Sequence, residues 1–170
     1  GLCTNNQQIT LRSAPSRAGY TFNGWRVQDS NTTKAAGAGH TVIATQYLFY
    51  ARWTAIDYDF SFNSMGGSDS HGSVTGNIGQ IVTMPNPGTR TGYTFAGWSP
   101  DSGTTKYSVG SSFTVATQSR SFVAYWTPNV YTVVYDWQGA SGTPTPDASY
   151  TVGTGNLSLP AIGDRTRDGY

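Results

Sequence analysis

Gly19-Tyr20-Thr21-Phe22-Asn23-Gly24-Trp25 returns 73 residues on as Gly92-Tyr93-Thr94-Phe95-Ala96-Gly97-Trp98. The phrase begins a third time at Gly169-Tyr170. Two further anchors keep the same 73-residue offset: Ala51-Arg52-Trp53-Thr54 with Ala124-Tyr125-Trp126-Thr127, and Tyr58–Asn63 with Tyr131–Asp136. One offset shared by three anchors makes the chain an array of small units, because self-similarity at a fixed period is the signature of repeat architectures. Units of this size sit near the lower limit for a self-sufficient core, so neighbouring units are expected to support one another. The boundaries that follow are residues 1–55 as the C-terminal part of a first repeat, 56–128 as a complete repeat, and 129–170 as the N-terminal part of a third.

Composition selects the kind of unit. The chain of 170 residues has no Glu and only two Lys, whereas Gly, Ser, Thr and aromatic residues abound. That balance favours strands and turns over helices. Strands are expected at Tyr20–Trp25, Val42-Ile43, Leu48–Trp53, Tyr58–Phe62, Ile81–Met84, Phe113–Val115, Ser121–Trp126 and Tyr131–Asp136, with another around Leu157–Leu159. Residues 29–39 and 64–79, rich in Ser, Asn, Thr and Gly, read as surface loops. Met65-Gly66-Gly67 and Asp101-Ser102-Gly103 read as turns, and Pro128-Asn129 as the joint to the third unit. The stretch 104–113 has no clear period and leaves room for a short helical turn. The fold class expected is mainly β, as tandem small modules with little helix.

Charge excludes several functions. A formal net charge of +1 gives no electrostatic case for nucleic acid or an anionic membrane, and no apolar run is long enough to span a bilayer. The single Cys3 rules out an intrachain disulfide framework. His40 and His71 lie in polar stretches without a cluster at ligand spacing, so no metal is expected. Asp57-Tyr58-Asp59 is too short to be a calcium loop. No triad, phosphate loop or zinc motif converges, so neither a catalytic residue nor a cofactor site is assigned and an enzyme is not expected.

The phrase itself admits two readings. Trp25 and Trp98 suit sugar stacking, but identical placement in successive units is what a repeated core demands. Tyr20, Phe22, Trp25 and Trp53, with Tyr93, Phe95, Trp98 and Trp126, are therefore read as the core signature. Gly24 and Gly97 either take positive φ or allow a ring to approach closely. Arg17, Arg90 and Arg167, each two residues ahead of the phrase, are read as stems packed on an aromatic face. Trp137 differs, since its counterpart one period earlier is Ser64. It is read as exposed or at a contact between units, and is the candidate residue for partner contact.

The phrase, the Thr89-Arg90-Thr91 ahead of it, the closing Ala-x-Trp-Thr and the Tyr-x-Val-x-Tyr-Asp opening with Gly139-Ala140-Ser141 together resemble the Listeria–Bacteroides repeat, the B-repeat of internalin-type surface proteins. The resemblance spans essentially the whole chain. It implies β-grasp-like modules strung in tandem on bacterial surface or secreted proteins, with roles in spacing, adhesion or partner binding. The excursion at 68–79 is longer than the compact turn of the family, and the usual Lys/Glu decoration is nearly absent.

The function expected is a non-enzymatic, extracellular structural segment of a surface stalk, adhesin or filament. Its partners are neighbouring repeats or copies of the same protein. The alternative is a module that binds a surface glycan or host protein through non-repeated loops and Trp137. The opening strand missing from the first unit and the closing half missing from the third are complementary. They read either as head-to-tail completion between copies or as a window on a longer polypeptide.

Overall fold

The computed structural model describes residues 6–28, 30–43, 48–136, 138, 148–156 and 158. Among them it is entirely β, without a helix. The first half-repeat contributes β1 (Gln8–Thr10), β2 (Tyr20–Val27), β3 (Thr33–Lys34), β4 (Gly39–Thr41) and β5 (Phe49–Ala55). The complete repeat contributes β6 (Tyr58–Asn63), β7 (Val74–Gly76), β8 (Ile81–Thr83), β9 (Tyr93–Pro100), β10 (Ser112–Thr114) and β11 (Arg120–Pro128). Two more follow, β12 (Val130–Val133) and β13 (Ala148–Thr151). The mainly β class with little helix is what the structure shows.

Pairing repeats with the same period as the sequence. β1 runs antiparallel to β4 with Ile9 opposite His40, and β8 runs antiparallel to β10 with Val82 opposite Phe113. β2 pairs with β5 and β9 with β11, both antiparallel. Each of these last pairs has its irregularity at the same place. Phe22 faces Trp53 while Gly24 faces Arg52, and Phe95 faces Trp126 while Gly97 faces Tyr125. Asn23 and Ala96 are thus the extra residues of a β-bulge, which bends a strand and tightens its twist. Gly24 and Gly97 follow with φ of 128° and 130°. A Cβ on Gly24 would stand 2.7 Å from the Lys34 carbonyl oxygen, and one on Gly97 would stand 2.9 Å from Lys106 Cβ. Both readings of these glycines therefore hold in part: φ is positive, and what comes close is backbone and a lysine stem, with no aromatic ring.

The sheets run β3-β2-β5, β7-β6-β11-β9, β1-β4, β10-β8 and β12-β13. Contacts gather into two compact units. The first takes the chain up to Ser61 with Ser73–Thr83 and Ser112–Arg120; its interior holds Phe60, Val115, Val27 and Leu11. The second takes Phe62–Gly72, Met84–Ser111 and the chain from Ser121 onward, around Trp98, Phe122, Met84 and Ala124.

Several expectations are corrected. Residues 29–39 are not loop throughout, because β3 bonds to β2 through Thr33 and Lys34. Within 64–79, β7 pairs with β6. Residues 104–113 hold no helical turn. Instead Tyr107 exchanges backbone hydrogen bonds with Trp98 at 2.7 and 2.8 Å, an edge contact that a weakly patterned segment conceals. Val42-Ile43 follow β4 rather than forming a strand, and Val42 is buried as a single anchor. The two predicted turns form as expected. Met65 and Gly66 have φ of 49° and 89°, and Asp101 and Ser102 have φ of 48° and 60°. The latter pair matches the left-handed φ values of a type I′ turn. Leu157 and Leu159 lie outside the described residues.

Candidate functional site

The aromatic phrase builds a seat from local rules. Gly19 and Gly92 have φ of 77° and 79°, in turns closed by Tyr20 N–H to Arg17 O at 3.1 Å and Tyr93 N–H to Arg90 O at 3.0 Å. That φ is what the third position of a type II turn requires. The arginines two residues ahead of the phrase lie over rings, Arg17 at 3.8 Å from the Tyr20 centroid and Arg90 at 4.0 Å from that of Tyr93. Arg167 is outside the described residues.

Phe22 and Phe95 act as hubs. Phe22 meets Trp25 and Trp53 edge-on, both at 5.4 Å; Phe95 meets Trp98 at 5.8 Å and Trp126 at 5.4 Å. Edge-to-face geometry is the arrangement favoured by the ring quadrupoles. The indole N–H of Trp25 donates to Arg12 O at 3.0 Å, and that of Trp98 donates to Pro85 O at 2.8 Å, one period on. Trp126 has a bond that Trp53 does not share, its N–H donating to Ser64 O at 2.9 Å.

The two copies differ in their cover. In the complete repeat Phe62 of β6 stacks on Phe122 at 5.3 Å and 14°, and meets Trp98 edge-on at 5.4 Å. His71, from the loop after β6, adds edge contacts to Phe62 and Trp98 at 6.4 and 6.3 Å. Its Nε2 lies 2.7 Å from Asn86 O. Trp98 and Phe122 are accordingly 0% exposed. In the first half-repeat their counterparts Trp25 and Phe49 are only half-buried. Between them opens a cavity of about 360 Å³, also lined by Leu11, Arg12 and Leu48. Of the remaining signature residues, Tyr20, Phe22, Trp53, Tyr93, Phe95 and Trp126 are half-buried. Trp137 lies outside the described residues, as does Cys3.

Sequence reading did not single out His71 as a cover, or Phe49, Leu48 and Leu11 as a lining. The period carried the signal for the cavity. Phe62 has no counterpart 73 residues earlier, whereas both rings it covers do. Nothing in the sequence marks His71, which has no repeat partner. Chemically, the cavity offers aromatic and aliphatic surface. Among the described residues no group of three His, Cys, Asp or Glu is placed to hold a metal ion. None of their helices is long and apolar enough to cross a membrane.

The joint between repeats is equally regular. Ile56 N–H donates to Gly19 O at 2.9 Å, and Asn129 N–H, one period on, donates to Gly92 O at 2.8 Å. A Cβ on Gly19 would stand 2.8 Å from Ile78 Cγ2, and one on Gly92 would stand 2.9 Å from Val152 Cγ1. An aliphatic side chain of the following repeat therefore lies directly over the glycine that starts the phrase.

These features define a tandem-repeat β protein whose signature phrase serves both the seat and the joint. The chain belongs to the Listeria-Bacteroides repeat domain family, whose profile matches residues 3–52 and 58–124. Over 138 residues it is 32% identical to a protein of Evansella cellulosilytica named "Putative membrane protein", covering 80% of this chain and 20% of that one. Over 93 residues it is 32% identical to Internalin H of Listeria monocytogenes, covering 55% of this chain and 16% of that one. The chain thus spans a fifth or less of the length of these relatives. No solved structure matches it.

Proposed function

We propose that this chain is a non-enzymatic, extracellular spacer: part of a surface stalk, adhesin or filament in which small β-grasp-like repeats hold a distance. The observation that carries this reading is the recurrence of the joint, where the same backbone bond and the same aliphatic-on-glycine contact appear one period apart. A spacer needs a repeatable joint, since each unit in a quasi-one-dimensional array takes stability from its neighbours. Family membership supports a surface setting, and the division at residues 55 and 128 is the repeat unit of the proposal.

Pulling a tandem concatemer of the chain in a force spectrometer tests it. Unfolding in steps of about 20–25 nm is expected, the extended length of one 73-residue period less its folded span. A single step releasing the whole chain at once would defeat the reading. Trp137 remains the proposed point of contact for a surface glycan or host protein. Glycan-array binding that persists unchanged in Trp137→Ala would remove it from that role.

A further inference from the structure

We infer that the cavity between Trp25 and Phe49 is a docking site for a repeat-opening strand, and that its occupant is the Tyr131–Asp136 segment of a second copy of this chain. The inference rests on the spacer reading and names the partner that would extend it.

The complete repeat shows what fills such a site. Phe62 lies against Trp98 and Phe122, the residues one period after Trp25 and Phe49. The cavity in the first half-repeat is the space that a ring in the place of Phe62 would occupy. Its surroundings agree. β5, the counterpart of β11, ends its sheet in the order β3-β2-β5. β11 by contrast has β6 on the side away from β9. Unpaired strand edges are templates for strand addition.

The donor side shows the matching deficit. β12 is the counterpart of β6 and pairs with β13, as β6 pairs with β7. In the order β12-β13 it has no further neighbour among the described residues, where β6 has β11. Val130, Tyr131 and Val134 are exposed along it. Tyr135, one period after Phe62, has a buried hydroxyl with no hydrogen-bond partner among the described residues. An unpaired buried hydroxyl is costly, so this segment does not find its full set of partners within its own chain. Placing β13-β12 of one copy beside β5-β2 of another reproduces the order β7-β6-β11-β9. The contact is heterologous, head to tail, so it propagates into a linear assembly unless it closes into a ring.

The test uses light scattering on the whole chain across a concentration series, with two variants. Leu48→Arg puts a charge at the mouth of the acceptor on a residue already 42% exposed. Tyr135→Ser removes the donor ring. Wild-type chain is expected to associate with rising concentration. Each variant alone should associate at least about tenfold more weakly, because an unpaired charge or a lost ring at the contact costs more than the free energy of one decade in affinity. The two mixed should give a one-to-one heterodimer, since the intact donor of Leu48→Arg meets the intact acceptor of Tyr135→Ser. Wild-type chain that stays monomeric at millimolar concentration overturns the proposal, as does association that both variants retain, or a mixture that forms no heterodimer. A synthetic Ile56–Asn63 peptide that binds the cavity of a chain which never self-associates also overturns it, in favour of a strand delivered from within the same polypeptide. Repeat-sized unfolding steps in a strictly monomeric chain would sink this inference and leave the spacer reading standing; their absence would sink the spacer reading itself.

Discussion

Replacing Phe62 with alanine takes from the complete repeat the one ring that separates its seat from the open one in the first half-repeat. Phe62 touches Phe122 face to face at 5.3 Å, Trp98 edge-on at 5.4 Å and His71 at 6.4 Å. Truncating a fully buried phenylalanine costs about 3–5 kcal/mol. Phe62 is half-buried, so the loss should fall at about 2–3 kcal/mol. A unit of this length has about 4–10 kcal/mol of stability in total, so the change removes a substantial share. The effect should also be local. Amide protection along β9 and β11 should fall, while that along β2 and β5, which never had this cover, should stay as it was. A double-mutant cycle with Phe122→Ala isolates the stacked pair, for which a coupling of about 0.5–1.5 kcal/mol is expected. Urea denaturation with hydrogen exchange on the four proteins measures both quantities. A loss below about 1 kcal/mol, or protection lost equally from β2 and β5, would refute the assignment of Phe62 as the cover and with it the identification of the open cavity.

Gly97→Ala should destabilise by about 1–3 kcal/mol, the cost of a left-handed φ in a residue with a Cβ, and Gly24→Ala should cost a similar amount. Thermal melts of the two variants check this, and a large difference would mean that the matched bulges are not equivalent. Arg90→Ala should cost no more than about 1 kcal/mol, the value of an exposed cation–π contact. Arg90→Lys should recover only part of it, because the planar guanidinium is what stacks on Tyr93. Ile78→Ala should lower the force at which successive repeats separate while leaving the step length unchanged, since it thins the joint over Gly19 without touching either seat.

Much of the fold was legible because the period and the strand chemistry point the same way. Tyr20–Trp25 and Ser121–Trp126 alternate aromatic and small residues between turn glycines, and both emerge as strands extended by two or three residues. Short edge elements were not legible. β3 is two residues, Thr33 and Lys34, whose strand conformation comes from backbone bonds to Trp25 and Arg26 rather than from their own propensity. Tyr107 is the same case one period on, a residue fixed by the partner it meets and not by its neighbours in sequence. The covering role of His71 was hidden for a related reason. A histidine in a Ser/Gly-rich stretch gives no apolar pattern, and only the path of the loop brings it onto Trp98.

The conserved spacing of one phrase across the period then acquires a physical explanation position by position. The first glycine closes a turn and leaves bare backbone for the next repeat's aliphatic side chain. The tyrosine gives the preceding arginine a face to lie on. The phenylalanine holds two indoles edge-on, and the second glycine carries the strand out of its bulge. The tryptophan closes the seat by donating to a carbonyl thirteen residues back. Four of these tasks lie inside a repeat, whereas the first lies between repeats, so a substitution at the leading glycine is expected to damage assembly before it damages the unit. Exposure of the tryptophan follows a different rule. It is set by whether an opening strand lies over the seat, which is why two tryptophans with the same neighbours in sequence, Trp25 and Trp98, end in different surroundings.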